Sequence, residues 1–158
     1  MADEVTYQEL VPEVHVHVPS APVPVIVKKL REAARAFCER STAYRVPLET
    51  ITTTPGVGSY EVDVPTNTIL LEPIALWYNG AELMMASEVL LNQRLGADWM
   101  TCRGTPRYVF KTSGNNLTIA PAPSKVEPLS LSGVIALKPA RGSTGLPDWF
   151  VEDFYEGI

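Results

Sequence analysis

The residues best suited to chemistry are His15 and His17, which lie in the stretch VPEVHVHVPSAPVPV. On a strand, two histidines two residues apart face the same side and could share a metal ion. A metal site needs further ligands, and nearby the sequence offers only carboxylates such as Glu13. We therefore expect no metal and no cofactor. A ring that brought several such segments together would favour a metal, and a pH-sensitive contact between subunits is an alternative.

The other reactive residues also point away from catalysis. Cys38 and Cys102 form no CxxC pair and are too few for a disulfide framework, which is typical of reduced, buried thiols. Glu61 and Asp63 alternate on a predicted strand and indicate a solvated face. The sequence contains no P-loop, GxGxxG, GxSxG or HExxH motif. We therefore expect that the protein is not an enzyme.

Three aromatic residues leave one binding function open. Asp98-Trp99 could form a platform for a sugar, although a tryptophan after such a turn more often fills the core beneath a loop. Trp77 and Tyr78 would complete the platform. A carbohydrate-binding β-module is therefore the alternative function from a different class.

Composition and charge restrict the remaining classes. The chain has 158 residues, of which 46% are hydrophobic, enough for one ordinary domain or two very small ones. No apolar run approaches the length of a membrane helix, and the N-terminus lacks a secretion signal, so we expect a soluble protein with no membrane partner. The net charge of −5 argues against nucleic acid as the main partner.

The distribution of charge suggests docking between subunits. Six basic residues lie within residues 28–45. Residues 46–93, in contrast, contain six acidic residues and lack Lys and Arg. Such polarity is often only a set of solvated faces. It would also suit an assembly in which the basic region of one subunit meets the acidic region of the next.

The pattern along the chain predicts an α+β fold. N-terminal and C-terminal helices would pack together, with a small antiparallel β-domain inserted between them. The predicted divisions are an extended N-terminal arm at 1–21, a helical part at 22–45 and 146–158, and a β-domain at 46–145 with one short helix near 87–95. The arm is assigned from its prolines and from the alternation of valine with histidine. The first long helix is expected over 22–40, capped by Ser20.

Within the β-domain, turn residues separate the predicted strands. Residues 68–80 would form two strand segments interrupted at Pro73, followed by a tight turn at Asn79-Gly80. Residues 107–112 and 117–121 would form a hairpin. Residues 129–139 would form a strand pair or one bent strand.

Three groups of residues are candidates for contacts with other chains. They are the alternating arm, the basic face of the first helix, and the aromatic C-terminal residues. An end so rich in aromatic rings needs burial, so either the chain continues or the rings dock into a partner. The candidates are Val14, His15, Val16, His17, Val18, Lys28, Lys29, Arg31, Trp149, Phe150, Phe154 and Tyr155.

Four motifs resemble a family of tailed-bacteriophage head–tail connector proteins, the adaptor or head completion proteins. LREAARAFCERSTAYR, from Leu30 to Arg45, resembles the family's first helix. TCRGTPRYVF with the preceding Trp99, LTIAPAPS, and IALKPARG with LPDWFVEDFYEGI follow in the family's order. The similarity covers nearly the whole chain. It departs at the end, where the family's last helix would continue further than it does here.

The resemblance implies a structural virion protein, made in the host cytoplasm and located at the head–tail junction. Such adaptors form a homo-oligomeric ring, a dodecamer, beneath the portal protein and extend the channel for genome ejection. They receive a tail nozzle, tail tube or tail-fibre protein, and DNA passes through the lumen without specific binding. A tail-fibre anchor or a neck protein of the virion is the alternative.

Overall fold

The computed structural model describes residues 3–124 and 130–154. The helices of this part of the chain are α1 (Tyr7–His15), α2 (Val23–Ser41), α3 (Glu88–Leu95) and α4 (Asp148–Phe154), with a 3-10 helix at Trp99–Thr101. The strands are β1 (Glu4–Thr6), β2 (Arg45–Thr52), β3 (Ser59–Glu61), β4 (Thr68–Tyr78), β5 (Ala81–Glu82), β6 (Met84–Met85), β7 (Arg103–Gly104), β8 (Tyr108–Lys111), β9 (Asn116–Ala120), β10 (Ala122–Pro123), β11 (Ser130–Pro139) and β12 (Gly145–Pro147).

The chain divides into two compact units. We call the first the helical unit; it comprises Met1–Tyr44, Pro65–Ile69 and Leu137–Ile158. The second, the strand unit, comprises Arg45–Val64 and Leu70–Ala136.

The helical unit contains α1, α2 and α4 together with a short antiparallel ribbon. In the ribbon, β1 pairs with β12 from Glu4↔Pro147 to Thr6↔Gly145. Helix α1 packs against α2, and α4 follows directly from β12. The ribbon therefore brings the first described residues next to the start of the last helix.

The segment predicted as an extended arm is largely helical, which corrects that prediction. The Thr6 side chain accepts a hydrogen bond from the Glu9 amide at 3.4 Å and donates one to the Glu9 carboxylate at 2.8 Å, an arrangement related to a capping box. Tyr7, Leu10 and Val11 then fall at helical spacing and are buried. Burial of this apolar face and the N-terminal cap outweigh the cost of Pro12 inside the helix.

Helix α2 confirms the prediction of a helix over 22–40, although its cap differs. Its N-cap residue is Pro22, which makes no side-chain capping bond, so Ser20 is not the cap. Pro24 occupies the first turn, where its missing N–H costs no helical hydrogen bond. The helix ends at Thr42, whose left-handed backbone lets its N–H donate to the Cys38 carbonyl at 2.9 Å.

Two four-stranded sheets account for most of the strand unit. One has the order β2-β11-β4-β5 and the other the order β3-β9-β8-β6. Parallel pairings among the described residues include β6 with β8 and β7 with β10. The register of β11 against β2 shifts between Leu131 and Gly133. An added Cβ at Gly133 would collide with the carbonyl oxygen of Ala75 in β4, so β11 and β4 can approach here only because this residue is glycine.

The predicted fold class is therefore wrong. Four helices occur in the described residues rather than a pair that frames the chain, and strands are distributed over four sheets. The small antiparallel β-domain of the prediction does not describe this arrangement, because the middle of the chain is dominated by strands in several sheets and includes parallel pairs. Parallel pairing depends on residues far apart in sequence, so no local pattern signalled it.

Local turn signals were read correctly. The hairpin predicted over 107–112 and 117–121 is confirmed: β8 and β9 pair antiparallel, with Lys111 opposite Leu117. Asn79 and Gly80 have φ angles of 48° and 81° and join β4 to β5, which confirms the tight turn. The short helix predicted near 87–95 is present as α3, and the Ser87 side chain accepts a hydrogen bond from the Leu90 amide.

The predicted break at Pro73 is wrong, because β4 runs without interruption from Thr68 to Tyr78. Strand β5 pairs with β4 only at Trp77 and Tyr78. Among the described residues, one edge of β4 therefore has no strand partner at Pro73. A proline, which has no backbone N–H, is tolerated at such an edge because no hydrogen bond between strands is lost there.

Candidate assembly surfaces

The chain between α1 and α2, together with the first turn of α2, exposes several apolar side chains, and we call this segment the valine turn (residues 16–25). Val16 is 77% exposed, and Val18, Val23 and Val25 are also exposed. The turn has a defined backbone, since His17 and Val18 both donate to the Val14 carbonyl at 3.0 and 3.2 Å. Its valines therefore face solvent from a folded position.

The two histidines lie at the start of this turn. His15, like Val14, is half-buried at the end of α1, and His17 is exposed in the turn. Within residues 3–124 and 130–154, no group of three His, Cys, Asp or Glu side chains is placed to hold a metal ion. Placement in a helix and a turn also removes the strand geometry that would have aligned the two imidazoles.

The basic face of α2 divides into two kinds of residue. Lys28 and Lys29 are exposed and both reach Glu32, at 3.9 and 2.8 Å. The hydrogen bond from Lys29 lowers the pKa of Glu32. One carboxylate between two ammonium groups leaves a surplus of positive charge beside the valine turn.

Arg31, a candidate for a contact between subunits, is half-buried and makes contacts inside the helical unit. Its Nε donates to the Ser143 carbonyl at 2.8 Å, and its guanidinium lies 5.8 Å from the centre of the Tyr7 ring. The Tyr7 and Ser143 hydroxyls are also hydrogen bonded at 3.2 Å. The Arg31 side chain therefore links α2 both to α1 and to the loop that precedes β12.

The last turns of α2 are bound internally as well. Arg35 donates to the Pro139 carbonyl at 2.8 Å, and Glu39 pairs with Lys138 at 2.6 Å. The hydrogen bond from Lys138 is the main cause that lowers the pKa of Glu39, with smaller contributions from the charges of Lys138 and Arg35. These contacts hold α2 against the end of β11.

The C-terminal aromatic residues form a cluster with α2, which we call the aromatic cluster (Phe37, Tyr44, Trp149, Phe150 and Phe154). Ring centres in the cluster lie 5.1 to 6.1 Å apart. Phe150 is 0% exposed, so its assignment to a partner contact is corrected: it fills the core of its own unit. Trp149 is exposed and packs edge-on against Tyr44. Tyr155 lies outside the described residues.

The thiols and buried phenols show no activated group. Burial, with a smaller contribution from the charge of Glu39, raises the pKa of Cys38 to about 12. Burial also raises the pKa of Tyr44 to about 12. A thiol that stays protonated at neutral pH is a poor nucleophile. Cys102 is a free, partly exposed thiol.

The proposed sugar platform is not formed. Tyr78 and Trp99 are buried, and Trp77 is only half-exposed. Trp99 packs edge-on against Phe110, with ring centres 5.5 Å apart. Trp99 is therefore a core residue beneath a loop, as its position after a turn indicated, and the three rings offer no shared face to a sugar.

The strand unit has an exposed surface that the sequence patterns missed. Met84 is 61% and Met100 is 69% exposed, and Met85 is exposed as well. Met84 and Met85 form β6, the last strand of its sheet. Two adjacent residues on a strand point to opposite faces, so the Met-Met pair could have signalled that one of them faces outward.

Next to these methionines lie two adjoining cavities, which together we call the methionine groove. The first, of about 300 Å³, has Trp99 and Phe110 in its lining and Met100 at its exposed side. The second, of about 490 Å³, is lined by Met85, Glu72 and Lys111 among others. Both include Glu88 and Phe110 in their linings, so the two cavities are neighbours.

Comparison with protein families gives one match of nearly full length. The family described as SU10 adaptor protein matches residues 5–155. A comparison with curated proteins finds no match. Among the described residues, none of the helices combines the length and the apolar character needed to cross a membrane.

Proposed function

Because this chain belongs to the SU10 adaptor protein family, and so is an adaptor-type structural protein of a bacteriophage, we propose that it forms a ring between portal and tail. In this role the protein is part of the virion at the head–tail junction. Its partners are sister copies, the portal protein, and a tail nozzle, tail tube or tail-fibre protein. The observation that carries the proposal is the family match over residues 5–155.

Two properties of the chain support a role in assembly. The valine turn and the methionine groove each expose several large apolar side chains, and grouped exposed apolar residues are typical of sites that bind other proteins. They are two different surfaces, and a ring with cyclic symmetry needs two different surfaces on every subunit. The buried, protonated thiol of Cys38 and the inward use of Arg31 offer no competing catalytic role.

The net charge fits a channel that DNA passes through. Affinity for DNA depends mainly on basic side chains that neutralise phosphates, and the chain has a net charge of −5. In the proposed ring, an acid-rich lumen prevents DNA from adhering to the wall and so permits genome ejection. No specific DNA contact is part of the proposal.

The mass of the particle in solution tests the proposal. We expect a ring with twelve times the 17.3 kDa mass of one chain, either alone or on addition of the portal protein. Native mass spectrometry with and without the portal measures both cases. A chain that stays monomeric and ignores the portal contradicts the adaptor role, whereas a ring of another copy number corrects only the stoichiometry.

A further inference from the structure

The methionine groove lacks an occupant within the described chain. Its base is aromatic and rigid, because Trp99 is buried against Phe110. Its borders carry the flexible, exposed side chains of Met85 and Met100. Methionine adapts its shape to an incoming surface, and it is therefore common at sites that bind apolar partners. The cavity volumes lie at the lower end of the range for binding pockets, roughly 300 to 1,000 Å³.

The groove also carries a negative charge surplus. Glu72 and Glu88 are exposed carboxylates in its lining, and Lys111 is the basic residue there. Glu88 lines both cavities, so each of them has a carboxylate in its lining. An occupant with an apolar tip and a positively charged flank would match this surface.

The valine turn has these two properties. Val16, with 77% exposure, is among its four exposed valines, and each has a stiff side chain that loses little freedom on docking. Lys28 and Lys29 follow Val25 by three and four residues on α2, so they lie on the same face of the helix. The turn thus presents an apolar tip next to a surplus of positive charge.

We propose that the valine turn of one copy inserts into the methionine groove of the next copy, with Lys28 and Lys29 near Glu72 and Glu88. This inference rests on the proposed ring and names the contact that closes it. Because the two surfaces differ, the contact repeats head to tail rather than pairing two copies. The turn already has a defined backbone in the single chain, which reduces the entropy cost of docking.

Cross-linking between the two surfaces tests the contact. The variant combines Val16→Cys and Met100→Cys in a Cys102→Ser background, and Cys38 stays unreactive because it is buried with its pKa raised to about 12. A short bis-maleimide should join copies into a ladder that extends beyond the dimer on a denaturing gel. The protein is treated alone and in the presence of the portal.

The matched control replaces Met100→Cys by Ser113→Cys, an exposed residue at the β8–β9 turn that lines neither cavity. We expect no ladder from this control. A particle of ring mass without a ladder from the test variant overturns the valine-to-methionine contact and leaves the ring intact. A monomer in both conditions overturns the ring and the contact together.

A charge placed in the groove gives an independent measurement. Met100→Glu should weaken ring association roughly tenfold or more, because a carboxylate would be buried against apolar side chains. The thermal unfolding midpoint should not change, since Met100 is exposed in the single chain. Ser113→Glu should leave association unchanged. Equal association of Met100→Glu and the unmodified protein would also overturn the contact.

Discussion

The aromatic cluster and the methionine groove use large apolar side chains in opposite ways. In the helical unit, the rings of the cluster contact one another, and Phe150 has no exposed surface. In the strand unit, Trp99 and Phe110 form a packed base, whereas Met85 and Met100 remain exposed beside open cavities. A segment rich in aromatic residues can therefore form part of the core of its own unit.

The difference has a physical origin in the length of the elements. Helix α4 is described over only seven residues, too short to be stable by itself, so it depends on the burial of Phe150 and Phe154 against α2. The strand unit is held by two four-stranded sheets and does not need Met100 for its core. Its apolar side chains can therefore remain available to another chain.

Removing a ring from the aromatic cluster is the most direct test of the difference between the two regions. Phe150→Ala should lower the free energy of unfolding by about 3 to 5 kcal/mol, because it leaves a cavity at a fully buried site. Urea denaturation measures the change. Met100→Ala is the matched control and should shift stability by less than about 0.5 kcal/mol. Similar losses for the two variants would remove the distinction between core cluster and open groove.

The same distinction applies to the basic residues of α2. Arg31→Ala should cost about 1 to 3 kcal/mol, since it removes the donor to the Ser143 carbonyl and the contact with Tyr7. Lys29→Ala should leave the unfolding midpoint unchanged, because Lys29 is exposed and its ion-pair partner Glu32 is exposed as well. When only folded protein is compared, Lys29→Ala should weaken ring association more than Arg31→Ala does.

Denaturation and mass measurement on the same two variants separate stability from assembly. If Lys29→Ala destabilises the monomer as much as Arg31→Ala does, the exposed lysines are structural. If Arg31→Ala is as stable as the unmodified protein, the internal role of its guanidinium is wrong, and the residue returns to the candidates for an intersubunit contact.

Elements with local signals could be predicted from the sequence. Helix α2 has an apolar stripe, prolines in its first turn and no internal breaker, and the Asn79-Gly80 turn requires positive φ angles that these residues accept. Helix α1 also carried its signals in Thr6, Glu9 and the spacing of Tyr7 and Leu10. The alternation of valine and histidine after them favoured a strand, and the burial of the helical face decided otherwise.

Features that depend on distant residues could not be predicted. The parallel pairing of β6 with β8 and the tolerance of Pro73 follow from which strands become neighbours. Val16, Lys28 and Lys29 are exposed and stay candidates for contacts between subunits, whereas Phe150 and Arg31 make contacts within their own unit. The methionine groove was missed because an apolar residue on a short strand is expected to be buried until its neighbours are known.

The smallest expected effect concerns the Glu39–Lys138 pair, a charged contact inside the helical unit. Lys138 holds the pKa of Glu39 below its ordinary value of 4.5. A carboxyl group whose pKa is lower in the folded state stabilises the fold above its unfolded pKa, and this stabilisation is lost as the pH falls through the folded value. Because Glu39 is partly exposed, solvent screening limits the contribution to about 0.2 to 1 kcal/mol.

Glu39→Gln should therefore be less stable than the unmodified protein near pH 7, and the difference should shrink as the pH falls below 4.5 and through the lowered folded pKa of Glu39. Urea denaturation over this pH range measures it, and Glu49→Gln on the exposed edge strand β2 serves as the control. A difference that persists at low pH would mean that Glu39 contributes by packing rather than by charge. The contact between Glu39 and Lys138 would then stabilise the helical unit independently of pH.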